Sequence, residues 1–109
     1  MTGEYVIIFS TCAHTQEAES IAGSLLSQNL AACVNIADSV VSFFRWKDRQ
    51  ERTSEVLLVI KTRRDLFDAV RRVIRESHSY DVPEVVAIPI IDGDEDYLNW
   101  MSGQLSRDD

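Results

Sequence analysis

Histidine and cysteine are scarce in this sequence, two of each, and neither pair has the close spacing of a zinc finger or a redox motif. Cys12 and Cys33 stand alone with no CxxC, which excludes a disulfide scaffold. The four glycines, Gly3, Gly23, Gly93 and Gly103, are too scattered to form a loop that cradles phosphate. Long apolar runs are missing as well. Val56 to Ile60 and Val85 to Ile91 fall far short of the roughly 20 residues that a membrane-spanning helix needs. Met1-Thr2-Gly3-Glu4 has no positive segment followed by an apolar one, so the expected address is cytoplasmic. Basic residues are outnumbered, 11 against 18 acids, and the net charge of −7 repels both nucleic acid and anionic membrane.

What is there is an ordinary globular composition, 45% hydrophobic and 27% charged over 109 residues. One core and one domain, residues 1–109, follow. Tyr5 to Cys12 is β-branched and aromatic and reads as a buried strand. Thr15 is the expected N-cap of a helix whose apolar face is Ala18, Ile21, Ala22, Leu25 and Leu26. Ala32 to Trp46 and Glu55 to Thr62 read as strands, the first interrupted near Ala37 and Asp38, with Lys47 to Ser54 as the hairpin tip. Asp65 is expected to cap a second helix bearing Leu66, Phe67, Val70, Val73 and Ile74. Val85 to Ile91 is a fourth strand, placed at an edge or a bulge by Pro89, which has no N–H for a ladder. The turn Asp92-Gly93-Asp94 leads to a short helix with Tyr97, Leu98, Trp100, Met101 and Leu105, and Arg107-Asp108-Asp109 is expected to fray.

That order is βαββαβ, the split βαβ plan of an α+β ferredoxin-like sandwich. In it the first strand lies between the third and the fourth, and the second is an edge. The end of strand one, the hairpin tip, the start of strand three and the loop after the second helix then share one end of the sheet. Ser10, Cys12, His14, Glu55, His78, Tyr80 and Glu84 gather there, while Cys33 falls at the other end. Thiol, imidazole and carboxylate together suit zinc or copper; the alternative reading is Cys12 as a small buried hydrophobe, His14 as a solvated loop residue and His78 as a helix-end cation. No serine or cysteine has a general base at readable spacing, so no catalytic residue is assigned and the chain does not read as an enzyme. Asp92, Asp94, Glu95 and Asp96 lack the alternation of a calcium loop and read as turn and helix-start residues. Val40, Val41, Phe43 and Phe44 make a long apolar edge strand, which natural proteins cover, here by another subunit.

Several segments in order carry a resemblance: Leu30-Ala31-Ala32-Cys33 with Asn35, then Ser42 to Trp46 followed by Glu51 and Glu55, and Ile60-Lys61-Thr62. His78-Ser79-Tyr80-Asp81-Val82-Pro83-Glu84 and Tyr97-Leu98-Asn99-Trp100 complete it. From Tyr5 to Leu105 the chain resembles the CutA family of divalent-cation-tolerance proteins. The resemblance implies a tight homotrimer similar to the PII signalling proteins, and copper or another divalent metal ion as the bound species. It places His78 at the metal site, with Glu55, Tyr80 and Glu84 lining the cleft between subunits. Some bacterial members carry a copper-binding cysteine where this chain has Ser10 and a second histidine where it has Ser77, and Asp48 replaces the usual glycine after the tryptophan.

The expected metal ligands are therefore Cys12, His14, Glu55 and His78, with Ser10, Trp46, Tyr80 and Glu84 in the subunit cleft. The expected function is metal tolerance by a cytosolic trimer. The alternative is a PII-like trimer that binds a small molecule in that cleft or serves as a structural module.

Overall fold

In the computed structural model, which describes residues 4–106, the chain runs β1 (Tyr5–Cys12), α1 (Thr15–Ser27), β2 (Cys33–Trp46) and β3 (Arg49–Arg63). It continues through one 3-10 turn (Arg64–Leu66), α2 (Phe67–Ser77), β4 (Val86–Pro89) and α3 (Glu95–Gln104). The antiparallel sheet has the order β2-β3-β1-β4, the ferredoxin-like plan with an added C-terminal helix. Pro89 lies on the edge strand, opposite Val6.

The sheet has two unlike faces because side chains alternate along a strand. Val6, Ile8, Ser10 and Cys12 of β1 and Val56, Leu58, Ile60 and Thr62 of β3 are buried on the face under the helices. They pack against Ala18, Ile21 and Leu25 of α1 and Val70 and Ile74 of α2. Their neighbours Ile7, Phe9, Leu57 and Val59 point to the other face and are half-buried. A smaller cluster joins Met101 of α3 and Leu105 to Ala32, Tyr5 and Leu66. Arg63 anchors this end, its Nη2 donating to the Ser106 carbonyl at 2.7 Å.

Local chemistry corrects the sequence reading at several ends. Thr15 is the first residue of α1 and not its cap; His14 holds that position without a side-chain cap, and the Thr15 hydroxyl donates to Asp38 Oδ1 at 3.3 Å. Asn29, at φ 57°, ends the helix in the left-handed conformation that asparagine tolerates. Leu26, assigned to the core face, is 46% exposed. Asp65 does not cap α2, because its carboxylate is taken by Arg63 Nε at 2.7 Å. The fourth strand, Val86–Pro89, is shorter than Val85 to Ile91, with the Ile90 N–H adding one bond to the Tyr5 carbonyl of β1 at 2.9 Å. Asp94 does cap α3, accepting from the Tyr97 N–H at 3.2 Å. The expected fraying at Arg107-Asp108-Asp109 lies outside the described residues.

The largest correction concerns the hairpin. Lys47 to Ser54 is not a loop: Trp46 pairs with Arg49, and the ladder continues to Val40 opposite Glu55. β1 ends opposite Val56, so this stretch of β2 and β3 extends beyond the rest of the sheet as a two-stranded arm. Asp38 and Ser39 oppose the single residue Val56 at its root, a bulge with Ser39 at φ 69°. The tip is a two-residue turn with Lys47 at φ 51° and Asp48 at φ 62°, the primed geometry that matches the strand twist. Neither residue is the glycine that this geometry favours. Asp48→Gly is therefore expected to stabilise the fold by about 0.5–1 kcal/mol, measured as a raised denaturation midpoint at an unchanged denaturant slope.

Candidate functional site

The site forms where three chain ends meet. β1 delivers Thr11 and Cys12 at its C-terminal end, the first turn of α1 delivers Glu17, and α2 stops at Ser77. His78 follows in extended conformation, φ −92° and ψ 143°, and this turns the chain back over β1. Its imidazole lies 2.6 Å from the Thr11 carbonyl through Nε2 and 3.1 Å from the Tyr80 amide through Nδ1. A carbonyl only accepts and an amide N–H only donates, so the ring is the neutral tautomer with its proton on Nε2. Glu17 completes the clasp: its carboxylate accepts from the Ser79 N–H at 2.8 Å and the Ser79 hydroxyl at 3.3 Å. Tyr80 then donates its hydroxyl to Glu55 at 2.7 Å, and its ring sits 4.7 Å from the His78 ring. Residues 78–80 are thus tied to β1, α1 and β3 at once.

Among the described residues, the thiol of Cys12, the carboxylate of Glu17 and the imidazole of His78 offer ligand atoms within 4.8 Å of one another. Thiol sulfur, imidazole nitrogen and carboxylate oxygen together form a donor set for a soft or borderline divalent cation. Burial, then the negative charges of Glu17 and Glu55, push the Cys12 thiol up from 9.0 to about 12. The same carboxylate field that holds the proton on sulfur favours a cation at that position. Burial, the hydrogen bond to Glu55 and the nearby negative charges also push the Tyr80 phenol upward.

The structure sorts the expected residues. Cys12 and His78 come together; Glu17 joins them, and neither His14 nor Glu55 belongs to the cluster. His14 is exposed at the N-cap of α1, and the buried Glu55 is engaged by Tyr80. Ser10 is fully buried on the helix side of β1, with its Oγ unpartnered. Trp46 and Tyr80 line a groove of about 490 Å³ that runs along the arm, with Phe44, Glu51, Arg52 and Glu55. Glu84 is exposed and outside that lining. Glu17 was legible only as a first-turn acid; its approach to His78 depends on how the end of α2 docks on the start of α1.

Residues 6–104 match the family model described as CutA1 divalent ion tolerance protein, and the chain belongs to that family. The family consists of non-enzymatic divalent-cation tolerance proteins. The chain is 40% identical over 96 residues to the chloroplastic protein CutA 1 of Oryza sativa, covering 88% of this chain and 54% of that protein. It is 36% identical over 95 residues to the divalent-cation tolerance protein CutA of Thermus thermophilus, covering 87% and 92%. The chain spans about half the length of the plant and mammalian relatives it matches. The crystal structure of Oryza sativa CutA1 superposes with a TM-score of 0.93 at 36% identity, covering 98% of each chain. The periplasmic divalent cation tolerance protein CutA of Archaeoglobus fulgidus gives 0.91 at 38% identity, covering 94% of this chain and 99% of that one.

The two thiols should differ sharply. Iodoacetamide at neutral pH is expected to label half-buried Cys33 and spare Cys12 until the protein is unfolded, as read by mass spectrometry of digested samples. The folded protein keeps the Cys12 proton where the unfolded chain loses it. That contribution to stability is therefore fully present below about 9 and is lost as pH rises from about 9 toward about 12. Denaturation midpoints followed through that window check the sign.

Proposed function

We propose that this protein serves divalent-cation tolerance as a cytoplasmic homotrimer that takes up copper or another soft or borderline divalent cation at Cys12, Glu17 and His78. The observation that carries the reading is the convergence of three donor types within 4.8 Å at the meeting point of β1, α1 and α2. Two free thiols support a reducing compartment, although named relatives are chloroplastic or periplasmic.

The arm supports self-association. A two-stranded ribbon standing alone is marginal in water, yet this one exposes Val41, Phe43, Phe44 and Trp46, from 43% to 63% of each. Val86 and Ile88 on edge strand β4 are also about half exposed, and the sheet face opposite the helices carries further apolar side chains. Copies of the same chain offer matching apolar surface and open strand edges. A second reading, a small molecule held in the groove beside Trp46 and Tyr80, is favoured by the size of that groove, which lies within the range of ligand pockets.

Sedimentation equilibrium at low micromolar concentration is expected to give three times the 12.4 kDa chain mass; a folded monomer would refute the trimer. Calorimetric titration of zinc or copper(I) is expected to show binding that weakens at least about tenfold in Cys12→Ser, Glu17→Gln and His78→Ala. Equal affinity in all three folded variants would remove the site. A thermal-shift response to small molecules with no response to metals would favour the groove reading.

A further inference from the structure

We propose that cation capture and the clasp at residues 78–80 draw on the same imidazole, so that binding a soft or borderline divalent cation frees Tyr80 and loosens the floor of the groove. The proposal rests on the cation reading of Cys12, Glu17 and His78 above, and concerns what that site does to the rest of the protein.

Valence sets the limit. A neutral imidazole has one N–H and one lone pair. Here the N–H is given to the Thr11 carbonyl and the lone pair receives the Tyr80 N–H. To act as a ligand His78 must offer a lone pair, and there are two routes. If Nδ1 ligates, it gives up the Tyr80 N–H directly. If Nε2 ligates, the ring proton moves to Nδ1, where it faces the Tyr80 N–H donor to donor, and Thr11 loses its partner too. Either nitrogen therefore leaves the Tyr80 amide without its acceptor. The first route keeps Nε2–H on a backbone carbonyl, the usual orienting arrangement for a ligating histidine, and disturbs less.

Glu17 is under less strain, because a carboxylate has lone pairs beyond the two accepting from Ser79. The consequence falls on Tyr80. Its backbone is held by His78 and its hydroxyl by Glu55, which lies in β3 at the root of the arm. Tyr80 and Glu55 both line the groove with Phe44 and Trp46. Loss of the backbone anchor leaves Tyr80 held by its hydroxyl bond and its ring contact with His78, so a change of occupancy at the cluster reaches the groove through one residue. By reciprocity, whatever holds Tyr80 in its clasped position opposes cation binding.

The test is a titration of Zn(II), alone and with no other ligand, into the full chain, read by residue-resolved amide hydrogen exchange and by affinity. At saturation the Tyr80 amide is expected to exchange at least about tenfold faster. Tyr80→Phe, which keeps the amide and removes only the hydroxyl anchor, is expected to bind Zn(II) about three- to tenfold tighter than the parent. Zn(II) binding that depends on Cys12 and His78 but leaves the Tyr80 amide protected overturns the coupling and leaves the cation site standing. Unchanged affinity in Tyr80→Phe likewise overturns coupling to the groove. Absence of Zn(II) binding removes the site and the coupling together.

Discussion

An imidazole has only two nitrogens, and at His78 both are committed to backbone groups, one on β1 and one on its own loop. The local architecture depends on that commitment. Between the end of α2 and the start of β4 lie eight residues with no regular structure, 78–85. They are held by His78 to Thr11, by Ser79 to Glu17 and by Tyr80 to Glu55. Bonds to a carboxylate contribute about 1.5–3 kcal/mol each when shielded and less where water reaches them, so this clasp rivals the packing of a large core side chain. It also satisfies Glu55, which at 8% exposure would be costly without a partner.

A second asymmetry follows from the sheet. One face is closed by α1 and α2 with several fully buried aliphatic side chains, and it explains why the chain folds. The other face holds half-buried apolar groups, and the open edges and the arm hold apolar groups that are about half exposed. A chain with this distribution has completed one layer of a two-layer problem. The clasp sits at the boundary between the two parts, with Cys12 in the finished core and Trp46 on the unfinished arm.

Element types and order were readable because the β-branched runs and the 3.6-residue apolar spacing were clean, and Pro89 correctly marked an edge. Ends were less readable for physical reasons. Charged residues from Arg49 to Ser54 look like a loop, yet they pair because Phe43 and Phe44 across the ladder supply the β propensity. Asp65 and Thr15 looked like caps, but each found a stronger or nearer partner, Arg63 and Asp38. In the site, Cys12 and His78 could be brought together from topology alone. Glu17 could not, since a first-turn acid serves the helix dipole equally well at any docking angle. Ser10 was grouped with Cys12 and His78 by topology and by the resemblance, and strand alternation turns it into the core beside Cys12.

The arm has an evolutionary consequence that follows from its ladder. Along its strands Phe43 and Phe44 face opposite sides, as do Glu51 and Arg52 across from them. Inserting or deleting one residue on either strand exchanges those sides from that point to the tip. Length variation between descendants of this chain is therefore expected in even steps taken on both strands together. An odd step survives only with a second bulge like the one at Asp38 and Ser39, so the arm lengthens by parity and not by single residues.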